Sequence, residues 1–365
     1  MLLESMNCAA QVLDPYEIPV DARSAALGEG FVAVANSTAA MFYNVAGLAQ
    51  QQGIAAQYGS RTYPISTPGA QSNYSSFSGM FGSQAFGTIG INYASHIYAN
   101  PNTPVYNGAH AVIANNYNEN SSIMEIAFAH AISPSMDAGA SLGYTSRNIS
   151  GLAGSAAYLD FGIRYHESLL KSKTPDEFSF GFSLTHLGSL ISYDDAVGTK
   201  EDLPRTIRAG IAWRIAQPET SFISDEFLSA MITGQFKTII NQVDTAASAM
   251  LEGSNPGAKG YWSLGIEAGA WDIVFFRYGL EYRPYNSVYS YANNSQTNIG
   301  GGIKIPLHRL LGFSAPIYIT VDYAAGNLAN AGLFPVNSGH ETLWTAGIHI
   351  NQDLIPPLPV PQEGQ

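Results

Sequence analysis

"IVFFRYGLEYR", residues 273–283, decides the fold because its side chains alternate in character with a period of two. Val274, Phe276, Tyr278, Leu280 and Tyr282 alternate with Phe275, Arg277, Gly279, Glu281 and Arg283. A period of two is typical of a β-strand with two unlike faces. The same alternation occurs in "AYLDFGIRY" (157–165), "FSFGFSLTHL" (178–187), "RTIRAGIAWR" (205–214) and "PIYITVDYA" (316–324).

The alternation predicts about 14 strands of about 9 to 13 residues, which is the length a tilted strand needs to cross a bilayer. The predicted strands are 54–62, 74–82, 86–97, 121–132, 136–147, 155–166, 177–188, 205–216, 227–238, 261–269, 272–284, 297–306, 315–324 and 340–350. Counted from the first strand, the odd-numbered connections are mostly longer than the even-numbered ones. Outer-membrane barrels show this asymmetry between extracellular loops and periplasmic turns. We therefore expect an all-β protein, a transmembrane antiparallel β-barrel.

The composition agrees with one lipid-facing and one watery face. Charged residues make up 12% of the chain, about half the usual share of a soluble protein. Asp and Glu outnumber Lys and Arg by 28 to 16, so no basic patch indicates nucleic acid as a partner. The partner that this composition predicts is membrane lipid, and the predicted location is the bacterial outer membrane. A signal peptide, which export would need, is not visible in "MLLESMNCAAQVL".

The face opposite the apolar one carries charges of both signs, which can pair across a lumen. The alternative is the solvated face of a soluble β-sandwich, but a single core could not cover so much apolar surface. We therefore expect these charges to face the lumen. The principal members of the set are Asp160, Arg164, Arg208, Arg277, Glu281 and Arg283, and Arg214, Glu267, Lys304 and Asp322 share the pattern.

"STAAMFYNVAGLAQ", residues 37–50, lies in an uncharged run from Gly30 to Ser60 and allows three interpretations. A membrane helix is disfavoured by the density of Asn, Ser, Thr and Gly. A dinucleotide loop is disfavoured because "GEGFVA" (28–33) follows no strand and no acidic residue follows at the required distance. A plug inside the barrel fits best, because small and amide side chains can pack against a polar inner wall. We expect Asn44 to hydrogen-bond backbone groups of the plug or the wall.

"DARSAALGEGFVAVANSTAAMFYNVAGLA", residues 21–49, resembles the N-terminal signature of the PorV/PorQ-like family within the FadL-type outer-membrane barrels. Later stretches such as "LPRTIRAGIAWR" and "WSLGIEAGAW" also resemble strands of that family. Val45 departs from the signature, which usually has Pro there. The resemblance implies a lumenal hatch held by the matching residues, of which the principal ones are Arg23, Gly28, Asn36, Asn44 and Gly47.

The chain then divides into four parts. Residues 1–20 form an N-terminal extension, 21–52 the lumenal hatch, 53–350 the transmembrane β-barrel and 351–365 a Pro-rich periplasmic tail. The hatch should contain short helices. The tail should be extended, because its prolines favour that conformation.

The sequence motifs do not support an enzymatic or a metal-dependent function. The eight histidines have no pair at i, i+3 or i, i+4, and H-E-x-x-H does not occur. The stretch "GASLG" (139–143) fits G-x-S-x-G, but it lies within a predicted strand and not at the strand-to-helix turn that a nucleophile elbow needs. His186 and Ser189 lie near one strand end, a coincidence expected in a Ser-rich chain. We therefore expect a non-catalytic protein without metal or other cofactor.

Two functions follow from the resemblance. A PorV-like protein would be a component of a type IX-like secretion apparatus, with a translocon and secreted cargo as protein partners bound through extracellular loops. The candidate loops are 98–120, 189–204 and 239–260, and the apolar residues offered for contact are Phe227, Leu228, Leu333 and Phe334. The alternative is FadL-like passive transport of a hydrophobic small molecule, which requires an apolar pocket beside the hatch.

Overall fold

The computed structural model describes most of the chain, with gaps mainly in the connections between strands. The described residues are 18–62, 71–101, 105–106, 112–170, 174–194, 198, 200–218, 224, 226–240, 259–282, 295–327 and 340–351. Several predicted features therefore lie outside the described residues. They are Arg283, Leu333, Phe334, residues 1–17 of the extension and residues 352–365 of the tail.

Fourteen long antiparallel strands form a closed barrel, which confirms the predicted fold class. Closure is explicit in the pairing, because the first strand, β1 (Gly53–Thr62), pairs with both the second strand and the last one. The other barrel strands are β2 (Gln71–Ser83), β3 (Gly87–Asn100), β6 (Tyr117–Ser133), β7 (Met136–Ile149), β8 (Leu152–Glu167), β9 (Asp176–Gly188), β12 (Arg205–Pro218), β13 (Glu226–Ile240), β14 (Lys259–Ala270), β15 (Val274–Tyr282), β16 (Ser295–Pro306), β17 (Ile317–Asn327) and β18 (His340–Ile350).

Each predicted strand corresponds to one barrel strand, but several strands are longer than predicted. β6 begins at Tyr117 rather than 121, and β8 begins at Leu152 rather than 155. The strand ends that the longer connections join, such as those of β3 and β6, of β9 and β12, and of β13 and β14, lie at one end of the barrel, termed the long-connection end. The longer connection expected between β7 and β8 was wrong, because only Ser150 and Gly151 join these strands. Both residues have a positive φ, which is typical of a tight hairpin turn.

Four short strands were not predicted. They are β4 (Val105–Tyr106), β5 (Val112–Ala114), β10 (Ile191–Tyr193) and β11 (Lys200–Glu201). β4 and β5 pair only with each other, whereas β10 pairs with β8 and β11. Two of the three candidate loops are therefore partly strand, and most of the third, 241–258, lies outside the described residues.

The two faces of the wall differ as the alternation predicts. In β15, Val274, Phe276 and Tyr278 are exposed on the outside, whereas Arg277 and Glu281 are buried on the inside. Exposed aliphatic and aromatic side chains recur on the outside of strand after strand. Such a continuous apolar exterior is the lipid-facing belt of a membrane barrel.

Residues 18–52, termed the inner segment, lie inside the barrel, and nearly all of those up to Leu48 are buried. The segment contains helix α1 (Ala22–Ala26), helix α2 (Ala40–Tyr43) and a 3₁₀ helix (Val45–Leu48), and a third helix, α3 (Leu307–Leu311), connects β16 to β17. The uncharged run is thus broken into short pieces. Within the described residues, no helix has the length and apolar character that crossing a membrane requires.

Candidate functional site

The inner segment begins with a charged anchor at Arg23. The Asp21 carboxylate caps α1 by accepting from the backbone N–H groups of Arg23 and Ser24. From this first turn, Arg23 donates from Nε and Nη2 to both oxygens of Glu267 on β14, at 2.8 and 2.9 Å. Its Nη1 donates to the Asn36 side-chain oxygen at 2.6 Å. One guanidinium thus joins two parts of the segment to the wall.

The wall residues around this anchor form a chain of alternating charge. Arg277 on β15 donates from Nε to Glu267 and from Nη1 to Asp322 on β17, both at 2.6 Å. Burial by itself would lower the pKa of Arg23, but the nearby charge of Glu267 and its hydrogen bonds raise that pKa above its usual value. The guanidinium therefore stays charged inside the lumen, where it is held by carboxylates.

The second anchor is Asn44, whose side chain is fully buried. Its Nδ2 donates to the backbone oxygen of Val32 and to that of Ile163 on β8, both at 2.9 Å. Its Oδ1 accepts from the Ala46 N–H, which caps the 3₁₀ helix. The predicted hydrogen bonding of Asn44 is confirmed, and it fixes the turn that leads into Val45.

Further contacts reach other parts of the wall. Lys237 on β13 pairs with Glu29 at 3.1 Å, and Gln50 donates to Asp137 on β7 at 2.6 Å. Ser76 on β2 donates to the Val20 oxygen at 2.9 Å. The inner segment is therefore tied to several separate parts of the wall.

Two glycines permit this close packing. Gly28 has a φ of 64°, and a Cβ there would lie 2.8 Å from the Leu280 backbone oxygen. A Cβ on Gly47 would lie 1.7 Å from the Ala35 backbone oxygen. Any larger residue at either position would force the segment away from the wall or from itself.

The other predicted lumenal charges lie on the inner face but have separate partners. Arg164 donates to the Ala33 backbone oxygen at 3.0 Å and pairs with Glu177. Arg208 donates to the Thr185 hydroxyl at 3.1 Å, and Asp160 accepts from the Ser141 hydroxyl at 2.9 Å. Glu281 is 2% exposed. The structure thus groups Arg23 with Arg277 and with Asn36, but it does not bring all the predicted residues into one site.

The half of the lumen nearer the long-connection end contains apolar and aromatic side chains that are continuous with the inner segment, beside polar groups such as Glu119 and Arg147. The members of this lining, termed the lumenal apolar cluster, are Tyr74, Tyr117, Ile123, Ile149, Ala156, Tyr158, Ile191, Tyr193 and Leu203. Ile191, Tyr193 and Leu203 belong to the connection 189–204. That connection therefore folds into the barrel mouth instead of standing free of it.

A charged group holds this connection in place. Arg147 on β7 donates to Glu119 on β6 at 2.8 Å and to Glu201 on β11 at 2.5 Å. The Tyr193 hydroxyl also donates to Glu201. Arg147 and Glu119 are buried, so the connection is fixed to the inner wall by a largely enclosed ion pair.

The barrel wall is irregular where β8 meets β9. The pairing shifts register between Leu159 and Phe161, and His186 on β9 has a φ of 60°. Two residues of β9 therefore oppose Asp160, which accepts from the His186 backbone N–H across this bulge. Beyond the bulge, β9 pairs with β8 at two more positions, and β8 then pairs with β10 at Ser155 and Gly154.

Sequence reasoning missed Glu119, Arg147, Asp137 and Lys237 as inner-face charges. Glu119 lies two residues before the predicted start of its strand, so a strand drawn longer would have included it. Three of these charges lie at inward-facing positions of predicted strands, so the alternation could have identified them: Asp137, Arg147 and Lys237. Among the described residues, no group of three His, Cys, Asp or Glu side chains could hold a metal ion.

Neither a protein-family model nor a curated protein sequence matches the chain. Solved structures of outer-membrane barrels are similar to it at low identity. They include the Ralstonia pickettii toluene transporter TbuX (13% identity, TM-score 0.46, 92% of this chain and 98% of that one) and a Pseudomonas aeruginosa FadL homologue (9%, 0.46, 91% and 98%). The Pseudomonas putida toluene transporter TodX is a third (9%, 0.41, 86% and 92%).

Proposed function

We propose that this chain is an outer-membrane barrel that passively transports a small hydrophobic molecule, with the inner segment closing the lumen to water and ions. The observation that carries the proposal is the lumenal apolar cluster, which is continuous with the buried residues of the inner segment. Porin lumens that conduct water and ions are polar. A lumen lined by tyrosines and aliphatic side chains instead favours an apolar solute.

The irregular wall at β8 and β9 supplies the second part of the proposal, a sideways exit. A hydrophobic solute gains nothing by entering water, so its favourable destination is the membrane interior. The other register shifts in the described wall lie at the ends of β6 and β12, whereas the shift at His186 lies beside Tyr158, a member of the lumenal apolar cluster. In this mechanism, the solute leaves the lumen through that bulge.

The residues of the hatch motif then have a common role, which is to hold the inner segment against the barrel wall. Arg23 and Asn36 hold the first half of the inner segment against β14, and Asn44 holds the second half against β8. Gly28 and Gly47 allow the close approach that excludes water. Transport would require only local rearrangement of the segment, which keeps the membrane sealed to ions.

A secretion role finds less support. The comparisons give no support to a PorV/PorQ-like assignment. Phe227 and Leu228, which were expected to contribute to extracellular loops, are at the start of β13, at the end opposite the candidate loops. That expectation was therefore wrong for these two residues.

The test is uptake of toluene and of a long-chain fatty acid, used as probes, by lipid vesicles containing the purified barrel. Deleting His186 restores one-to-one pairing between β8 and β9, so we expect uptake to fall to the level of empty vesicles. The matched control, His186→Gly, keeps the bulge and should keep uptake. Vesicles with the unaltered barrel that take up neither probe faster than empty vesicles would refute the proposal.

A further inference from the structure

The outer surface of β2, β3, β6 and β7 changes character in steps toward the long-connection end. The strand registers place Phe77, Tyr93, Met124 and Tyr144 side by side across these four strands. All four are exposed. An exposed and mainly aromatic row of this kind marks the edge of the lipid-facing belt, where aromatic rings meet the headgroups.

The next outward-facing row is made of serine. Ser75, Ser95, Ser122 and Ser146 are neighbours across the same strands, and Ser155 continues the row onto β8. The five hydroxyls therefore lie in one line around this part of the barrel, immediately beyond the aromatic row. Hydroxyl groups are less favourable in hydrocarbon than in water, so this row marks the start of a more polar outer surface.

One step further, the row consists of Asn73, Ile97, Asn120 and Asn148. The three asparagines are exposed, and so is Asn118, which lies one step beyond Asn120 on β6. The outward-facing positions that carry apolar residues near the middle of these strands thus carry mostly carboxamides nearer the long-connection end.

Asn118, Asn120 and Asn148 line a cavity of about 550 Å³. Asn115 and Asn116 close its other side, because they belong to the connection that returns from β5 to β6. The cavity is therefore an open depression bordered by five asparagines from two strands and one connection.

The walls of this cavity are held by hydrogen bonds of the β7–β8 hairpin. Ser150 donates from its backbone N–H to the Asn118 oxygen at 2.7 Å and accepts from the Asn118 N–H at its hydroxyl. The same hydroxyl donates to the Asn116 backbone oxygen at 3.1 Å, and the Gly151 N–H donates to the Asn148 side chain. The loop and the hairpin are thus joined before any ligand arrives.

The chemistry of the lining is uncharged and rich in both donors and acceptors. A carboxamide carries two N–H donors and an acceptor oxygen with two lone pairs. Within the protein, the Asn148 oxygen accepts from the Gly151 N–H and the Asn116 amide donates to the Pro101 backbone oxygen. Glu119 is the one charged residue among the lining residues, and its carboxylate already accepts from Tyr117, Ser121 and Arg147. Ile97 and Ala99 add apolar surface, which can pack against the C–H face of a sugar ring.

We propose that this cavity binds a saccharide. Hydroxyl-rich rings need paired donors and acceptors without net charge, together with a small apolar platform, and the cavity provides both. Its height beyond the aromatic row is where the sugar portion of an outer-leaflet glycolipid lies beside a barrel. A free oligosaccharide has the same chemistry, so the two sources are separated by experiment.

The experiment measures binding of two probes to the purified full-length barrel. The first is lipopolysaccharide in lipid nanodiscs, compared with nanodiscs of phosphatidylethanolamine and phosphatidylglycerol alone. The second is the set of free core oligosaccharides released from that lipopolysaccharide. Native mass spectrometry of the released barrel reports the bound sugar, and binding of either probe, above phospholipid alone, is expected.

The variant Asn118→Ala/Asn120→Ala should bind about tenfold more weakly, since two hydrogen bonds are lost and tenfold in affinity corresponds to about 1.4 kcal/mol. Ala99→Trp, which fills the cavity without removing an amide, should weaken binding as well. The control Thr297→Ala/Thr342→Ala removes two outward-facing polar groups elsewhere on the barrel and should bind like the unaltered chain.

Retained heat-modifiable migration in gels establishes that each variant folds. If the double asparagine variant fails to fold, the binding measured for Ala99→Trp tests the proposal instead. The proposal is overturned if the unaltered barrel binds neither probe, or if folded cavity variants bind as tightly as the threonine control. Because hydrophobic uptake does not depend on this outer surface, failure here leaves the transport proposal unaffected, and the reverse also holds.

Discussion

Two sides of the barrel wall differ in strand pairing and in how they contact the inner segment. From β14 to β17 the strand pairing runs without a register shift, and the inward charges Glu267, Arg277 and Asp322 join Arg23 of the inner segment. From β8 to β10 the pairing shifts and changes partner. There Asp160 accepts from the β9 backbone across the bulge instead of holding the segment.

The difference indicates a division of roles around the wall. A regular strand ladder satisfies its own backbone groups, so its inner charges are available to fasten the inner segment. An irregular ladder leaves backbone N–H groups without a strand partner, so Asp160 is needed to satisfy the wall itself. The wall is thus regular where Glu267 and Arg277 tie the segment by charge, and irregular on the side where Asn44 and Arg164 tie it through backbone oxygens.

The largest expected effect comes from Glu267→Ala on the regular side. Two guanidiniums, Arg23 and Arg277, would then face each other inside the lumen without the carboxylate that joins them. Breaking a buried ion pair in this way costs about 3 kcal/mol or more. We expect a lower unfolding free energy in guanidinium titration and a rise in ion conductance across planar bilayers.

The control for this change is Glu267→Gln, which keeps the side-chain volume and one acceptor oxygen but removes the charge. It should show an intermediate effect. A Glu267→Ala barrel with unaltered conductance and unaltered stability would mean that the regular side does not fasten the inner segment.

Arg147→Leu tests the irregular side and should cost about 2 kcal/mol, because charged hydrogen bonds to Glu119 and Glu201 are lost. Its effect should be local. Hydrogen exchange of β10 is expected to accelerate, while that of α1 stays unchanged. Faster exchange in both places would show that the two sides are not independent.

Asn44→Asp tests the contact between the inner segment and the irregular side. The aspartate loses both donors to Val32 and Ile163 and places an acceptor against two carbonyl oxygens, at a cost of about 1 to 3 kcal/mol. Thermal unfolding should shift downward. The matched control is Asn36→Asp, which keeps an acceptor for Arg23 at an exposed position and should leave the transition close to that of the unaltered chain.

Asp272→Asn, which removes the charge and suits the positive φ of 51° at this position, should have the smallest effect. Its ion pair with Lys304 lies outside the lumenal network, with both side chains about one third exposed, and exposed pairs contribute about 0.2 to 1 kcal/mol. Bilayer conductance should not change. A loss of stability similar to that of Glu267→Ala would mean that burial does not set the strength of the ion pairs in this barrel.

The sequence alone predicted most of the wall, because an alternation with a period of two that continues for about ten residues indicates a β-strand and no other regular structure. It also led to the expectation that residues 37–50 enter the lumen, since their small and amide side chains suit neither lipid nor bulk water. It failed at Ser150–Gly151, where a loop was expected, because strand ends carry weaker alternation than strand centres. It also did not anticipate β10 and β11, which are too short to show a period.

The amino-acid sequence by itself determined the number of strands, their two faces and the presence of charges inside, since each depends on neighbours along one strand. Only the tertiary structure decided which charges meet. Arg23 and Glu267 are 244 positions apart, and Arg147 reaches Glu201 only because β10 takes the place of β9 beside β8. The closure of the sheet and the bulge at His186 set those distances, and neither can be read from local periodicity.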